Sequence, residues 1–93
     1  MDPLSQLEDL KEAANKLSIE IVTDSLFDPE VMIQSGYCKA KGKKMIILDN
    51  LLSIEEQNEV ILQTLKKFDM EDIYLPSWIR ERIESDSNIG NQT

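Results

Sequence analysis

Residues 36 to 48 limit the fold more than any other stretch of this chain. Gly36 to Ala40 and Lys43 to Leu48 are two strand-length runs separated by Lys41-Gly42. Glycine in a two-residue connection supplies the positive φ that tight hairpin turns require. The second run carries Met45-Ile46-Ile47-Leu48 without apolar–polar alternation, which predicts a central strand covered on both faces. A chain built around this hairpin needs helices to cover the sheet, and the sequence supplies them on either side.

Asp2-Pro3 opens the first helix, with aspartate as the cap and proline at the position whose missing N–H needs no partner. Leu4, Leu7, Leu10, Ala14 and Leu17 then recur at three- and four-residue steps and form one apolar stripe. Ile19-Glu20-Ile21-Val22-Thr23 is β-branched and alternating, and reads as a strand. Asp24 to Glu30 is rich in turn formers, with Leu26 and Phe27 expected to tuck onto the core edge. Val31 to Gln34 fits either a strand or a loop.

Ser53-Ile54-Glu55-Glu56 is a capping box. It opens a helix expected to run to about Phe68, burying Ile54, Ile61, Leu65 and Phe68, with Val60 and Leu62 widening the stripe and Lys66 and Lys67 facing the helix dipole. Pro76 suits the start of a last helix through about Glu84, with Trp78, Ile79 and Ile83 as its apolar face. Ser85 to Thr93 is polar and reads as a disordered tail. The expected architecture is a single α+β domain over residues 1–84: an N-terminal helix, a small antiparallel three-stranded sheet with its hairpin, and two C-terminal helices.

With 93 residues the chain can bury one modest core. Its composition excludes more than it assigns. There is no histidine and one cysteine, so neither a Ser-His-Asp nor a Cys-His arrangement is possible within one chain, and neither imidazole nor cysteine-cluster ligation of zinc is available. No cofactor is expected. The net charge of −8 opposes approach to phosphate backbones and anionic lipid, which argues against nucleic-acid and membrane partners. A single thiol, no apolar start and no apolar run near the length of a membrane span point to the cytoplasm.

Four constellations carry competing readings. Cys38 is either a reactive thiol or a small buried hydrophobe of the hairpin; Lys39 beside it points to the opposite strand face. Lys39, Lys41, Lys43 and Lys44 either grip a nucleic-acid phosphate backbone or hold a hairpin tip in water, where edge lysines also discourage strand-to-strand aggregation. Glu55 and Glu59 share a helix face and, like Glu71-Asp72, are either weak cation ligands or solvated surface. Tyr74, Pro76, Trp78 and Ile79 concentrate aromatic and rigid residues in one segment, which is either a protein-contact patch or the place where Trp78 closes the core.

The run MIILDNLLSIEEQNEVILQTLKK, Met45 to Lys67, resembles the strand-to-active-helix passage of ImmA/IrrE-type metallopeptidases. Against their His-Glu-x-x-His motif, Gln63 stands at the first histidine, Thr64 at the glutamate and Lys67 at the second histidine. None of the three supplies the motif's chemistry, so the resemblance implies a metal-free scaffold. Gly36-Tyr37-Cys38 and Asp72-Ile73-Tyr74-Leu75-Pro76 are also similar to a small bacterial protein family to which the resemblance attaches no activity. The expectation is a non-catalytic domain acting by protein contact, with self-association included. The alternatives are small-molecule or cation binding, or a minor enzyme using carboxylates or Cys38.

Overall fold

The computed structural model describes residues 2–24, 27–28, 31–32 and 36–90. Helix α1 (Pro3–Lys16) starts where Asp2 accepts the Ser5 N–H at 2.8 Å. That bond satisfies one of the free donors of the first turn and draws the Asp2 carboxyl below its ordinary pKa. After α1 the chain turns at Ser18, held at φ 61°. Strand β1 (Ile19–Asp24) follows, then two short strands, β2 (Phe27–Asp28) and β3 (Val31–Met32), which pair antiparallel with each other. Val31–Met32 is thus strand. Ile33 and Gln34, and the expected packing of Leu26 and Phe27, lie outside the described residues and side chains.

The hairpin forms as the sequence requires. Strand β4 (Gly36–Ala40) pairs antiparallel with β5 (Lys43–Asp49), and the turn holds Lys41 at φ 53° and Gly42 at φ 79°. Both turn residues are left-handed, the backbone hand whose twist matches the flanking strands. The α+β class stands, but the sheet is mixed and not purely antiparallel. Its order is β1-β5-β4, and β1 runs parallel to β5, with Ile21 opposite Ile46. A tight hairpin dictates direction only for β4 and β5. The chain between β1 and β5 is long enough for a crossover, which a parallel pair needs.

One face of the sheet carries the core. Ile46 and Leu48 on that face are fully buried against Leu10, Ile61, Leu62 and Leu65 of the helices, each side chain contributing roughly 1.5–3 kcal/mol. The opposite face carries Val22, Cys38, Met45 and Ile47, all only half-buried. The expectation of a strand covered on both faces is corrected, because the three helices are spent on one side and on the ends.

Helix α2 (Ile54–Leu65) begins at a complete capping box. Ser53 Oγ accepts the Glu56 N–H at 3.1 Å and Glu56 Oε1 accepts the Ser53 N–H at 2.9 Å. These bonds also lower the Glu56 pKa. The helix proper stops at Leu65, and the chain continues to Phe68 through tighter three-residue bonds, Lys67 N–H to Thr64 and Phe68 N–H to Leu65. Ile54 is exposed rather than buried, as is Leu4 of α1; both sit in the first turns of their helices.

Three polar side chains of α2 are buried instead: Gln57, Asn58 and Thr64. Each finds a backbone carbonyl. Gln57 Nε2 donates to Leu52, Asn58 Nδ2 to Pro3 and Thr64 Oγ1 to Val60, at 3.0–3.1 Å. Helix α3 (Ser77–Gly90) is capped by Pro76, whose carbonyl accepts the Ile79 and Arg80 N–H groups at 3.1 and 3.4 Å. It continues past the boundary expected near Glu84. No proline or glycine interrupts 85–89, so nothing in the backbone stops it before Gly90. Residues 91–93 lie outside the described residues.

Candidate binding groove

The segment expected to form a contact patch is built mainly into the molecule. Ile79 is 0% exposed and belongs to the core, so it cannot touch a partner; helical spacing turns it inward beneath α1. Trp78 is half-buried against that core, and its indole N–H donates to Asp9 Oδ2 of α1 at 2.8 Å. Pro76 is half-buried too. Tyr74 alone is open to solvent, at 75% exposure, with Lys16 Nζ 5.1 Å above its ring and donating to its own carbonyl at 3.1 Å. Arg80 completes the joint by donating to the Ile73 carbonyl at 2.8 Å.

The other predicted features separate as well. Cys38 is half-buried on the open sheet face. Lys39, Lys41 and Lys43 are exposed near the hairpin tip. Lys44 folds inward, where it donates to the Leu17 carbonyl at 2.7 Å and covers the Phe68 ring at 5.4 Å, so the lysine cluster has three free members and not four. Glu55 is solvated, while Glu59 pairs with Arg82 and ties α2 to α3. Among the described residues no three metal-ligating groups come together, and no helix is long and apolar enough to cross a membrane.

A site that no motif announced lies between β4 and α2. A groove of about 300 Å³ has Gly36 and Tyr37 as one wall and Glu59, Val60, Gln63, Thr64 and Lys67 as the other. Its geometry follows from the sheet register. Tyr37 stands opposite Ile46 and so shares the helix-covered face; its ring meets Phe68 edge-on at 5.6 Å. The start of α2 lies by the end of β5, where the Leu52 N–H donates to Asp49, and the end of α2 lies by the start of β5, where Lys44 covers Phe68. Helix α2 therefore runs antiparallel to β5 and alongside β4 in the same direction.

The row Glu59, Gln63, Lys67 falls at four-residue steps on one helix face, overlooking the outer edge of β4. Val60 and the Tyr37 ring give the groove an apolar lining. Gln63 and Lys67 point out of α2 with no hydrogen bond or ion pair among the described residues, and the Tyr37 hydroxyl is likewise without one. Gln63, Thr64 and Lys67, the positions set against the zinc motif, all line this groove. Thr64 is committed to the helix backbone, and none of the three is a histidine or a carboxylate.

Sequence reasoning missed the groove because its walls lie more than 20 residues apart. Only the packing of α2 over β4 joins them. The one usable signal was the Glu59-Gln63-Lys67 row itself, polar residues flanking an apolar helix stripe. Comparison with protein-family models, with curated proteins and with solved structures finds no match to this chain.

Proposed function

We propose that this is a small non-catalytic domain that acts by contact with another protein, and that the contact runs through the β4–α2 groove. The observation that carries the reading is the pairing of two unmet surfaces. Among the described residues β4 is an edge strand, so every second N–H and C=O of its backbone points away from β5. Beside that edge stands a concave apolar strip with a hydroxyl, an amide and an ammonium that bond nothing else among the described residues. The chain's lack of histidine supports binding over proton-transfer chemistry at this place. The single thiol fits a reducing cytoplasm as the compartment.

The test is site-directed photo-crosslinking in cells of the native organism, with the photoreactive residue at position 63 or, separately, at position 74. A protein-sized adduct from position 63 and none from position 74 is the expected result. A protein adduct from position 74 alone moves the contact to the Tyr74 corner and overturns the groove.

A second reading rests on the groove's volume. About 300 Å³ reaches the lower end of small-molecule sites, and an adduct of a few hundred daltons from position 63 would select it. A cation is the weaker variant, because the groove's one carboxylate, Glu59, is already engaged by Arg82.

A further inference from the structure

We infer that the groove takes an extended peptide added as a fourth strand outside β4, with a carboxylate of that peptide held by Lys67. This rests on the protein-contact reading above and names the chemistry of the partner. Three observations lead to it. First, β5 occupies one side of β4 and the described residues place no strand on the other, so the edge offers a ladder of backbone donors and acceptors that an incoming strand satisfies.

Second, the lengths match. Glu59 to Lys67 covers eight residue steps, from α2 into the turn that follows it, about 12 Å at the helical rise. An extended peptide covers that distance in about four residues. A strand laid along β4 enters the groove at Gly36 and Tyr37, where alternate side chains turn toward Val60 and the Tyr37 ring.

Third, the charge is polarised within the groove. At the Glu59 end the carboxylate is neutralised by Arg82. At the other end Lys67 carries a positive charge with no carboxylate against it among the described residues, and Lys39, on the same strand face as Tyr37, is exposed. Gln63 and Tyr37, which line the same groove, add an amide and a hydroxyl to the side that carries this cation. A carboxylate accepts from the Lys67 ammonium, whereas a partner's lysine is repelled by it; the amide and the hydroxyl can donate or accept and serve either. The occupant is therefore an acidic strand-forming segment rather than a basic or neutral one. A segment of either direction satisfies the edge, and the position of its carboxylate fixes the direction.

The experiment uses the full chain, isotopically labelled, titrated with three probes. One is an alternating Val/Thr hexapeptide with glutamate at its fifth position and a free terminal carboxylate. The second is the same peptide with lysine at that position and an amidated end. The third is benzoate. The acidic peptide is expected to bind about tenfold or more tightly than the basic one, the size of one charge-assisted hydrogen bond. It should also slow hydrogen exchange at β4 amides, and Lys67→Glu should reverse the preference while the protein stays folded. Equal affinity for the two peptides, or binding to neither, overturns the inference. Benzoate and the acidic peptide giving the same shifts without slowed β4 exchange also overturns it, in favour of a small-carboxylate pocket. If the peptides fail while position 63 still crosslinks to protein, only this inference falls. If both fail, the contact reading falls with it.

Discussion

The Trp78 corner and the β4–α2 groove are both aromatic-bearing regions at the margin of the core, and they treat their polar groups in opposite ways. At the corner, the Trp78 N–H goes to Asp9, the Tyr74 carbonyl to Lys16, the Ile73 carbonyl to Arg80 and the Pro76 carbonyl to the start of α3. Five bonds close that corner onto α1 and α3. In the groove, Tyr37, Gln63 and Lys67 have side-chain donors that meet no acceptor among the described residues. The corner spends its indole and its backbone carbonyls on the fold and leaves only the Tyr74 hydroxyl to solvent, whereas the groove's side-chain donors face solvent beside apolar surface, where a partner can reach them. Aromatic content alone does not separate the two cases.

The largest effect should come from the corner's core residue. Ile79→Ala removes a fully buried side chain and should cost roughly 2–5 kcal/mol, much of the stability of a domain of this size. Chemical denaturation followed by circular dichroism reads it. A loss under about 1 kcal/mol would mean that the corner is looser than its packing indicates, and would weaken the contrast with the groove. Next in size is Trp78→Phe, which keeps most of the ring and deletes the N–H. The lost bond is to a carboxylate, but a half-buried one, so about 1.5 kcal/mol is expected. If Asp9→Asn combined with Trp78→Phe costs no more than the tryptophan change alone, the two act as one pair.

A smaller effect concerns the wall of the groove. Ser53→Ala removes the hydroxyl half of the capping box and should cost about 1 kcal/mol. Because α2 forms the groove's outer wall, the same change should also weaken binding there while leaving the Trp78 fluorescence maximum unmoved. A shifted maximum would show that groove and corner are coupled.

The pH dependence of the two helix caps is smaller again. Glu56 and Asp2 both titrate below their ordinary values of 4.5 and 3.8 because they accept backbone N–H groups in the folded chain. A carboxyl whose pKa is depressed by folding stabilises the fold above its unfolded pKa, and that contribution fades as pH falls through the folded value. Thermal stability should therefore decline as pH drops below about 4.5, and Glu56→Gln should flatten the part of the decline that belongs to α2. An unchanged slope in Glu56→Gln would show that the Glu56 bond is not retained in solution.

The architecture was legible wherever a local rule decides the outcome. Asp2-Pro3, the Lys41-Gly42 turn and the Ser53–Glu56 box each specify a backbone conformation from two to four neighbouring residues, and each is found in place. What stayed hidden depends on which elements pack together. The parallel β1–β5 pair is set by a crossover, not by any residue of either strand. The exposure of Leu4 and Ile54, and the burial of Gln57 and Asn58, reverse what hydrophobicity alone implies; the two amides are buried because they reach the carbonyls of Leu52 and of Pro3 at the start of α1. Ile79 lies in a segment that the sequence leaves open between contact patch and core, and the helical period that puts it on one apolar face with Trp78 and Ile83 turns it inward. The groove was illegible for the same reason as the sheet direction: Tyr37 and Lys67 become neighbours only in three dimensions.

The smallest expected effect is the most discriminating. Gln63→Ala and Lys67→Met each remove a side chain that bonds nothing else in the described structure, so each should change stability by less than about 0.5 kcal/mol. Lys67→Met keeps most of the apolar stem while deleting the charge. In an acidic chain it also removes a cation that offsets like-charge repulsion, so a slight loss at low salt that vanishes at high salt fits the same account. A loss of 1.5 kcal/mol or more in either variant, insensitive to salt, would mean that the side chain has a structural partner. The groove would then resemble the Trp78 corner, and the difference between the two regions, on which the binding reading stands, would be gone. If instead both variants keep full stability and lose the crosslink or the peptide, the groove's residues are there for something outside the fold, while the corner's are there for the fold itself.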